Sequence, residues 1–385
     1  MRHTGVVIAG YGQTAYHKHA EHPLLWYLAA AMRLALESAG LSKRDVDGLA
    51  VTSFMLPPDN VTTLAQQFGV EARWLFQGAY GGASGVISLA EAAKAIAHGE
   101  ADVVVCIAAD DYDVRGHMSL MDQFNGAMRD YLSPYGFGGT NGLFALIQRR
   151  HMYEFGTKPE QLGKIAVTLR AHARLNPHAL LRGPMTLEDY LNARVIVDPL
   201  RLYDCVLPCA GGEAVVVTTV ERARRLQMTP VHLQSTAQWH NADPEDYLHL
   251  RGGWSRFRDV LLTQAGLGPA DMDFVQLYDD YPIMCLIQLE ELGFCEKGSG
   301  DAFLARTDFS ISGNLPMNTG GGQLSEGQSG AGGGMIGLTE AVRQLRGEGG
   351  QRQVGGARRG LVSGFGMVGY GRGLSYSAAI LTSDQ

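Results

Sequence analysis

Cysteine is scarce and irregularly placed. The five cysteines, Cys106, Cys205, Cys209, Cys285 and Cys295, fall at no spacing that suits a disulfide framework or a zinc ribbon, which points to a reducing compartment. Basic residues are outnumbered by acidic ones, 32 against 39, for a formal charge of −7. With no clustered Lys/Arg tract to offset that deficit, a nucleic-acid surface is excluded, and the short "RQVGGARRG" around Arg352–Arg359 reads as a solvated turn. No run approaches the ~20 apolar residues of a membrane span. The opening "MRHTGVVIAGYGQTAY" has no apolar core before a small-residue cleavage site, so a cytoplasmic protein without membrane contact is expected. The histidines, including His117, His151, His178 and His240, show no metal-ligand spacing, so neither a metal nor a resident cofactor is expected. Proline is sparse at 14 against 50 glycines, and the glycines sit between well-patterned apolar segments, as tight turns and close backbone approaches require.

What is present is an α/β alternation in a chain of 385 residues, 45% hydrophobic, long enough for two domains or a fused pair of half-domains. "GVVIAG" (Gly5–Gly10) is an apolar run, "PLLWYLAAAMRLALESAG" (Pro23–Gly40) a helix closed by glycine, and "VDGLAVTS" (Val46–Ser53) a strand. Ser42 with Asp45 three residues later caps a short turn into that strand. "VISLAEAAKAIAHG" (Val86–Gly99) is a second glycine-terminated helix, and it leads into the buried strand "ADVVVCIAA" (Ala101–Ala109).

The pattern recurs. "AGLSKRDVDGLAVTS" (Ala39–Ser53) matches "AGLGPADMDFVQLYD" (Ala265–Asp279), and "ISLAEAAK" (Ile87–Lys94) matches "IGLTEAVR" (Ile336–Arg343), in the same order. Each of the second pair follows a glycine-rich turn, "YGGASG" or "SGAGGG". Duplicated halves are therefore expected, 1–230 and 231–385, with a loop-and-helix insertion at about 110–203 in the first. The apolar strand "ADVVVCIAA" lacks charges that would protect a sheet edge, which suggests edge pairing in a homodimer.

Two stretches look able to carry chemistry. Tyr278, Asp279, Asp280 and Tyr281 form a polar cluster at the end of an apolar strand, where duplicated α/β halves place ligands; Tyr278 would pass protons and Asp279 would orient it. "GGGQLSEGQSGAGGG" (Gly320–Gly334) offers backbone N–H groups and the Gln328 amide to a developing oxyanion. "GYGQTA" (Gly10–Ala15) and "GFGMVG" (Gly364–Gly369) mimic dinucleotide fingerprints, but the first lacks its acidic partner and the second leads into a strand. Cys106 and Cys285 sit in apolar elements as small core residues, whereas Cys205 and Cys209 flank "VLP" and could stand near a site.

The repeated glycine turns, with "DFVQLYDDYPIMCLIQLEELGFC" (Asp273–Cys295), "NTGGGQLSEGQSGAGGGMIGLTEAVRQLRG" (Asn318–Gly347) and "YDCVLPCAGGEAVVVTT" (Tyr203–Thr219), resemble the thiolase superfamily over essentially the whole chain. The resemblance is greatest to its sterol-carrier-protein-type, lipid-transfer-protein branch. It implies a layered α-β-α-β-α sandwich of duplicated halves. It also implies that Gly82 occupies the position of the nucleophilic cysteine, that Tyr278 and Gln328 replace the histidine-type groups of the second and third loops, and that about Met367 replaces the last proton shuttle. All four groups of Claisen chemistry are then missing. On this resemblance Gly82, Tyr281, Ser329, Gly366 and Met367 line the substrate site, and coenzyme A arrives only as part of an acyl-CoA substrate.

A site shaped for acyl-CoA but without a nucleophile retains reactions that need only a thioester enolate. Retro-aldol cleavage of a β-hydroxyacyl-CoA is the simplest, with Tyr278 and Asp279 handling protons and Gln328 holding the enolate. The resemblance implies the same activity, because cysteine-lacking relatives include aldolases that shorten steroid side chains, using loop tyrosines and a small OB-fold, zinc-ribbon partner. Here the third loop carries Gln328 where those relatives use tyrosine. Acyl transfer with a partner subunit and simple lipid or acyl-CoA carriage are the alternatives.

Overall fold

In the computed structural model, which describes residues 1–122, 124–137, 139–248 and 250–383, the chain opens with β1 (Val6–Gln13), α1 (Leu24–Ser38), β2 (Gly48–Thr52), α2 (Val61–Phe68), β3 (Trp74–Gln77), α3 (Ser84–Ala97) and β4 (Val103–Asp110). Local chemistry sets these bounds. Helix α1 ends ahead of Gly40, whose φ of 63° is open to glycine without a Cβ penalty. The capping interaction ahead of β2 forms, with the Ser42 N–H and hydroxyl donating to Asp45 Oδ2 at 3.0 and 2.9 Å. Gly10 and Gly12 lie inside β1, where a Cβ would collide with the α1 backbone at Ala35 and Ala31; they allow close helix–strand packing and do not form a phosphate turn.

The insertion is mostly helical: α4 (Val114–Asp122), α5 (Gly139–Phe155), α6 (Pro159–Arg174), α7 (Leu187–Leu191) and the small hairpin β5 (Val195–Val197) and β6 (Leu200–Arg201). After it come β7 (Gly211–Thr219), α8 (Val220–Arg225), β8 (Val231–His240), α9 (Trp254–Ala265), β9 (Phe274–Gln276), α10 (Pro282–Glu291), α11 (Gly300–Arg306), α12 (Gly322–Ser325), α13 (Ile336–Leu345), β10 (Arg359–Gly369) and β11 (Arg372–Thr382).

Nine strands follow the order β3-β2-β4-β7-β1-β8-β11-β10-β9. β2 pairs in parallel with β3 and β4, and β4 pairs antiparallel with β7, as β7 does with β1. The second part repeats this: β9 is parallel to β10 and, at Val275, to Met317, while β10 is antiparallel to β11, and β11 to β8. Between the two sets, β1 and β8 share only Val7↔His232 and Ile8↔Val231.

Packing turns this order into layers. Along β4, Val104, Cys106 and Ala108 join a core with α3 and α13, while Val103, Val105 and Ile107 face α1. That same central core takes Val362, Ala379 and Leu381 from the second set of strands, whose opposite face packs on α9 and α10 through Leu361, Ala378 and Ile380. The result is α1 and α2, a sheet, α3 with α13, a sheet, then α9 and α10: the α-β-α-β-α sandwich expected from sequence. Uniform apolar runs such as β4 are what strands buried on both faces require. One expectation is corrected here. "ADVVVCIAA" is not an edge, because β4 lies between β2 and β7; its lack of protecting charge reflects burial, and the free edge of the first set of strands is β3.

Candidate active site

The turns ahead of the two central helices meet. A one-turn 3-10 segment, Gly81–Ala83, feeds α3, and a similar segment, Gly330–Gly334, precedes α13. A Cβ on Gly85 would strike the Gly334 carbonyl, and one on Gly334 the Gly82 carbonyl, so glycine on both sides is the condition for the approach. The end of β10 closes over them: a Cβ on Gly366 would overlap the Tyr80 carbonyl, and Met367 takes a left-handed φ of 52°.

Gly82 is glycine for another reason than a left-handed turn. The positive φ in this turn, 54°, belongs to Gly81. At Gly82 an added Cβ would fall on Cε2, Cζ and Oη of Tyr278. The phenol therefore fills the space that any side chain at position 82, a nucleophile included, would need. Tyr278 is held there by its backbone: its N–H donates to Gln288 Oε1 at 3.2 Å, the Gln288 amide donates back to the Tyr278 carbonyl at 2.7 Å, and Ser363 Oγ fixes Gln288 Oε1 at 2.5 Å. Burial, followed by the charges of Asp280 and Asp279, pushes the phenol well above its usual range, while the Gln323 and Gln328 side chains pull the other way. At neutral pH Tyr278 is a protonated donor.

These groups border a cavity of about 550 Å³ lined by Gly82, Tyr278, Tyr281, Gln328, Gly366 and Met367 together with apolar groups of the insertion, among them Met118, Met121 and Phe144. Gln328 is oriented by two neighbours, as Oε1 accepts from Tyr112 Oη and from the Gly330 N–H, each at 3.3 Å. Its Nε2 is thereby the end free to donate toward ligand and Tyr278. Tyr281 also lines the cavity. Its hydroxyl donates to Asn141 Oδ1 at 2.6 Å and lies 3.2 Å from Thr140 Oγ1, and its ring stacks on Phe144 with centroids 4.1 Å apart, so it ties this loop to α5.

Two expected site residues stand elsewhere. Asp279 turns away from the cavity, and its carboxylate accepts the Gln323 and Leu324 N–H groups at 2.9 and 3.2 Å, bracing the third loop at the start of α12 and not the Tyr278 hydroxyl. Both oxygens are used because Gly322, at φ 58°, has no Cβ to displace them. Ser329 is fully buried beside Gly332 and does not line the cavity. Of the two candidate thiols, Cys205 reaches the cavity, but burial and Asp204 push it up to about 12, so it is not a nucleophile near neutrality; Cys209 is buried away from it.

The cavity wall also carries polar residues that the sequence reading did not assign to the site, among them Tyr112, His117 and Asp280. Tyr112 is 4% exposed and joins Gln328; His117, pushed down to about 4 by burial, packs against the Tyr112 ring at 5.4 Å; Asp280 lines the wall beside Tyr278. The signal for Tyr112 was available: it follows the carboxyl end of an apolar strand, as Tyr278 does. Among the described residues no three His, Cys, Asp or Glu side chains stand together as a metal site, and no helix is long and apolar enough to cross a membrane.

With this geometry in hand, comparison with known proteins is informative. Residues 258–381 match the family described as thiolase C-terminal domain-like. Over 360 residues the chain is 36% identical to a protein of Thermomonospora curvata named steroid side-chain-cleaving aldolase, covering 88% of this chain and 90% of that one. Over 358 residues it is 36% identical to the 17-hydroxy-3-oxo-4-pregnene-20-carboxyl-CoA lyase of Mycobacterium tuberculosis, covering 88% and 91%. A solved structure described as an Ltp2-ChsH2(DUF35) aldolase matches with a TM-score of 0.85 at 35% identity, over 99% of this chain and 98% of that chain.

Proposed function

The chain belongs to the thiolase superfamily, among relatives that include steroid side-chain-cleaving aldolases, and from that membership we propose that it cleaves a carbon–carbon bond in a β-hydroxyacyl-CoA by a retro-aldol reaction. The observation that carries this reading is the Tyr278 ring lying over Gly82: the place of a nucleophile is taken by a protonated phenol. Loss of the substrate hydroxyl proton breaks the Cα–Cβ bond and releases a ketone or aldehyde. The electron pair moves into the thioester as an enolate, the Gln328 Nε2 group donates to its oxygen, and Tyr278 delivers a proton to Cα. The cavity of about 550 Å³ is of the size that encloses a drug-sized group, in keeping with a bulky acyl portion such as a steroid side chain and its ring system.

Wild-type protein is expected to convert a β-hydroxyacyl-CoA into a carbonyl compound and a shortened acyl-CoA, with no acyl adduct on the intact protein by mass spectrometry. A covalent adduct would favour acyl transfer instead. Binding without product would favour carriage.

The repeat of strand pairings supports reading residues 1–230 and 231–385 as fused halves. We further propose a homodimer joined through the free edge of β3, and a small OB-fold, zinc-ribbon partner; the naming of two components in the matched aldolase structure favours a partner subunit. Sedimentation at micromolar concentration should show a dimer, with a monomer counting against it. Full turnover by the chain alone would remove the need for a partner.

A further inference from the structure

The reaction needs a base for the substrate hydroxyl, and the groups assigned so far do not supply one. Tyr278 is held protonated, and Gln328 is an amide with no basicity in water. Of the other ionisable groups on the cavity wall, Tyr112, Tyr281 and Cys205 ordinarily carry their protons at neutral pH and burial drives them further that way, and the His117 imidazole is made a weak base by burial; only Asp280 starts from the carboxylate range.

Asp280 differs from all of these in what it touches. The adjacent Asp279 spends its carboxylate on two backbone N–H groups, whereas Asp280 Oδ1 is buried without a hydrogen-bond partner, and the residue lines the cavity between Tyr278 and Tyr281. Its charged neighbourhood is acidic or neutral throughout: it faces Asp279, Tyr278, Tyr281 and the Cys285 thiol, with no ion pair to a cation among the described residues. The Tyr281 and Asp280 N–H groups favour the charged form of this carboxylate, but a buried oxygen left without a partner still costs stability, and the fold's own packing does not account for it.

We propose that Asp280 is the catalytic base that takes the hydroxyl proton of the β-hydroxyacyl-CoA. The assignment rests on the cleavage reaction proposed above. The substrate O–H proton passes to the Asp280 carboxylate as the Cα–Cβ bond breaks and the C=O bond of the released ketone or aldehyde forms. Tyr278 then gives its proton to Cα of the enolate, and the carboxylic acid of Asp280 returns a proton to the Tyr278 phenolate. Each group ends as it began, with no oxidant, reductant or metal consumed. Burial raises the affinity of Asp280 for a proton well above that of an ordinary aspartate, which suits a base that must accept a proton from an alcohol.

The test compares wild-type protein, Asp280→Asn and Asp280→Ala on one β-hydroxyacyl-CoA, together with thermal unfolding of each. Cleavage by wild-type protein is established first, and its failure would remove the reaction and not merely the base. With wild-type cleavage in place, Asp280→Asn is expected to lose ~10²–10⁴-fold in kcat with KM changed only a few-fold. It should melt at or above the wild-type temperature, because a charge with one buried, unpartnered oxygen and an acidic neighbour in Asp279 has been removed. Formate added to Asp280→Ala should restore part of the lost rate. Near wild-type kcat in Asp280→Asn overturns the assignment, as does a rate loss matched by a fall in melting temperature, or a folded Asp280→Ala that formate does not revive.

Discussion

Tyr278→Phe should lower kcat for cleavage by ~10²–10⁴-fold while leaving KM within a few-fold of wild type. The substitution keeps the ring, which packs over Gly82 and lies 6.2 Å from the Phe365 ring, and it leaves the backbone clamp from Gln288 intact. What it removes is the hydroxyl, a protonated donor that lies directly over Gly82. A loss confined to kcat therefore reports proton transfer to the enolate. A variant that cleaves at near wild-type rate would show that the phenol is packing only.

Gly82→Cys should abolish most of the aldolase activity without creating a thiolase. The new Cβ would overlap the Tyr278 ring, so either the phenol leaves its place or the two glycine turns separate, an overpacking cost of about 1–3 kcal/mol in stability. Gly82→Ala should show the same loss, because the obstacle is volume and not the thiol. Making room with Gly82→Cys combined with Tyr278→Ala should still give no efficient thiolysis of a β-ketoacyl-CoA. The third loop offers an amide at Gln328 and the fourth a thioether at Met367, so the thiol would lack an activating base. Retention of near wild-type cleavage by Gly82→Cys would mean that Tyr278 does not sit where the structure places it. Efficient thiolysis by either cysteine variant would mean that the loop assignment is wrong.

The balance between aldolase and thiolase chemistry thus turns on one contested volume. A nucleophile at position 82 and a phenol at position 278 exclude one another sterically, so the two residues act as a single choice. Gln328, the oxyanion group of the proposed reaction, is set in the same way: Tyr112 and the Gly330 N–H hold its oxygen and leave its nitrogen to donate.

The sequence by itself determined the elements, their duplication and the family. Apolar period, glycine after helix ends and the Ser42–Asp45 cap are short-range signals, and they placed α1, β2, α3 and β4 within a few residues. The matched segments around Ala39–Ser53 and Ala265–Asp279 carried the doubling, because a repeated supersecondary unit leaves its trace in residue order. The tertiary structure alone decided which side chains share space. Nothing local ties Gly82 to Tyr278 or Tyr112 to Gln328, since those contacts exist only once α3 and α13 are packed side by side with glycine at each point of approach. Nor does the string "YDDY" say which aspartate faces the ligand. The backbone path after β9 sends Asp279 to the amides of α12 and Asp280 to the cavity. The strand "ADVVVCIAA" carries the same lesson: an apolar run records burial on both faces but not what provides it, and β7, more than a hundred residues away in the chain, makes it an interior strand.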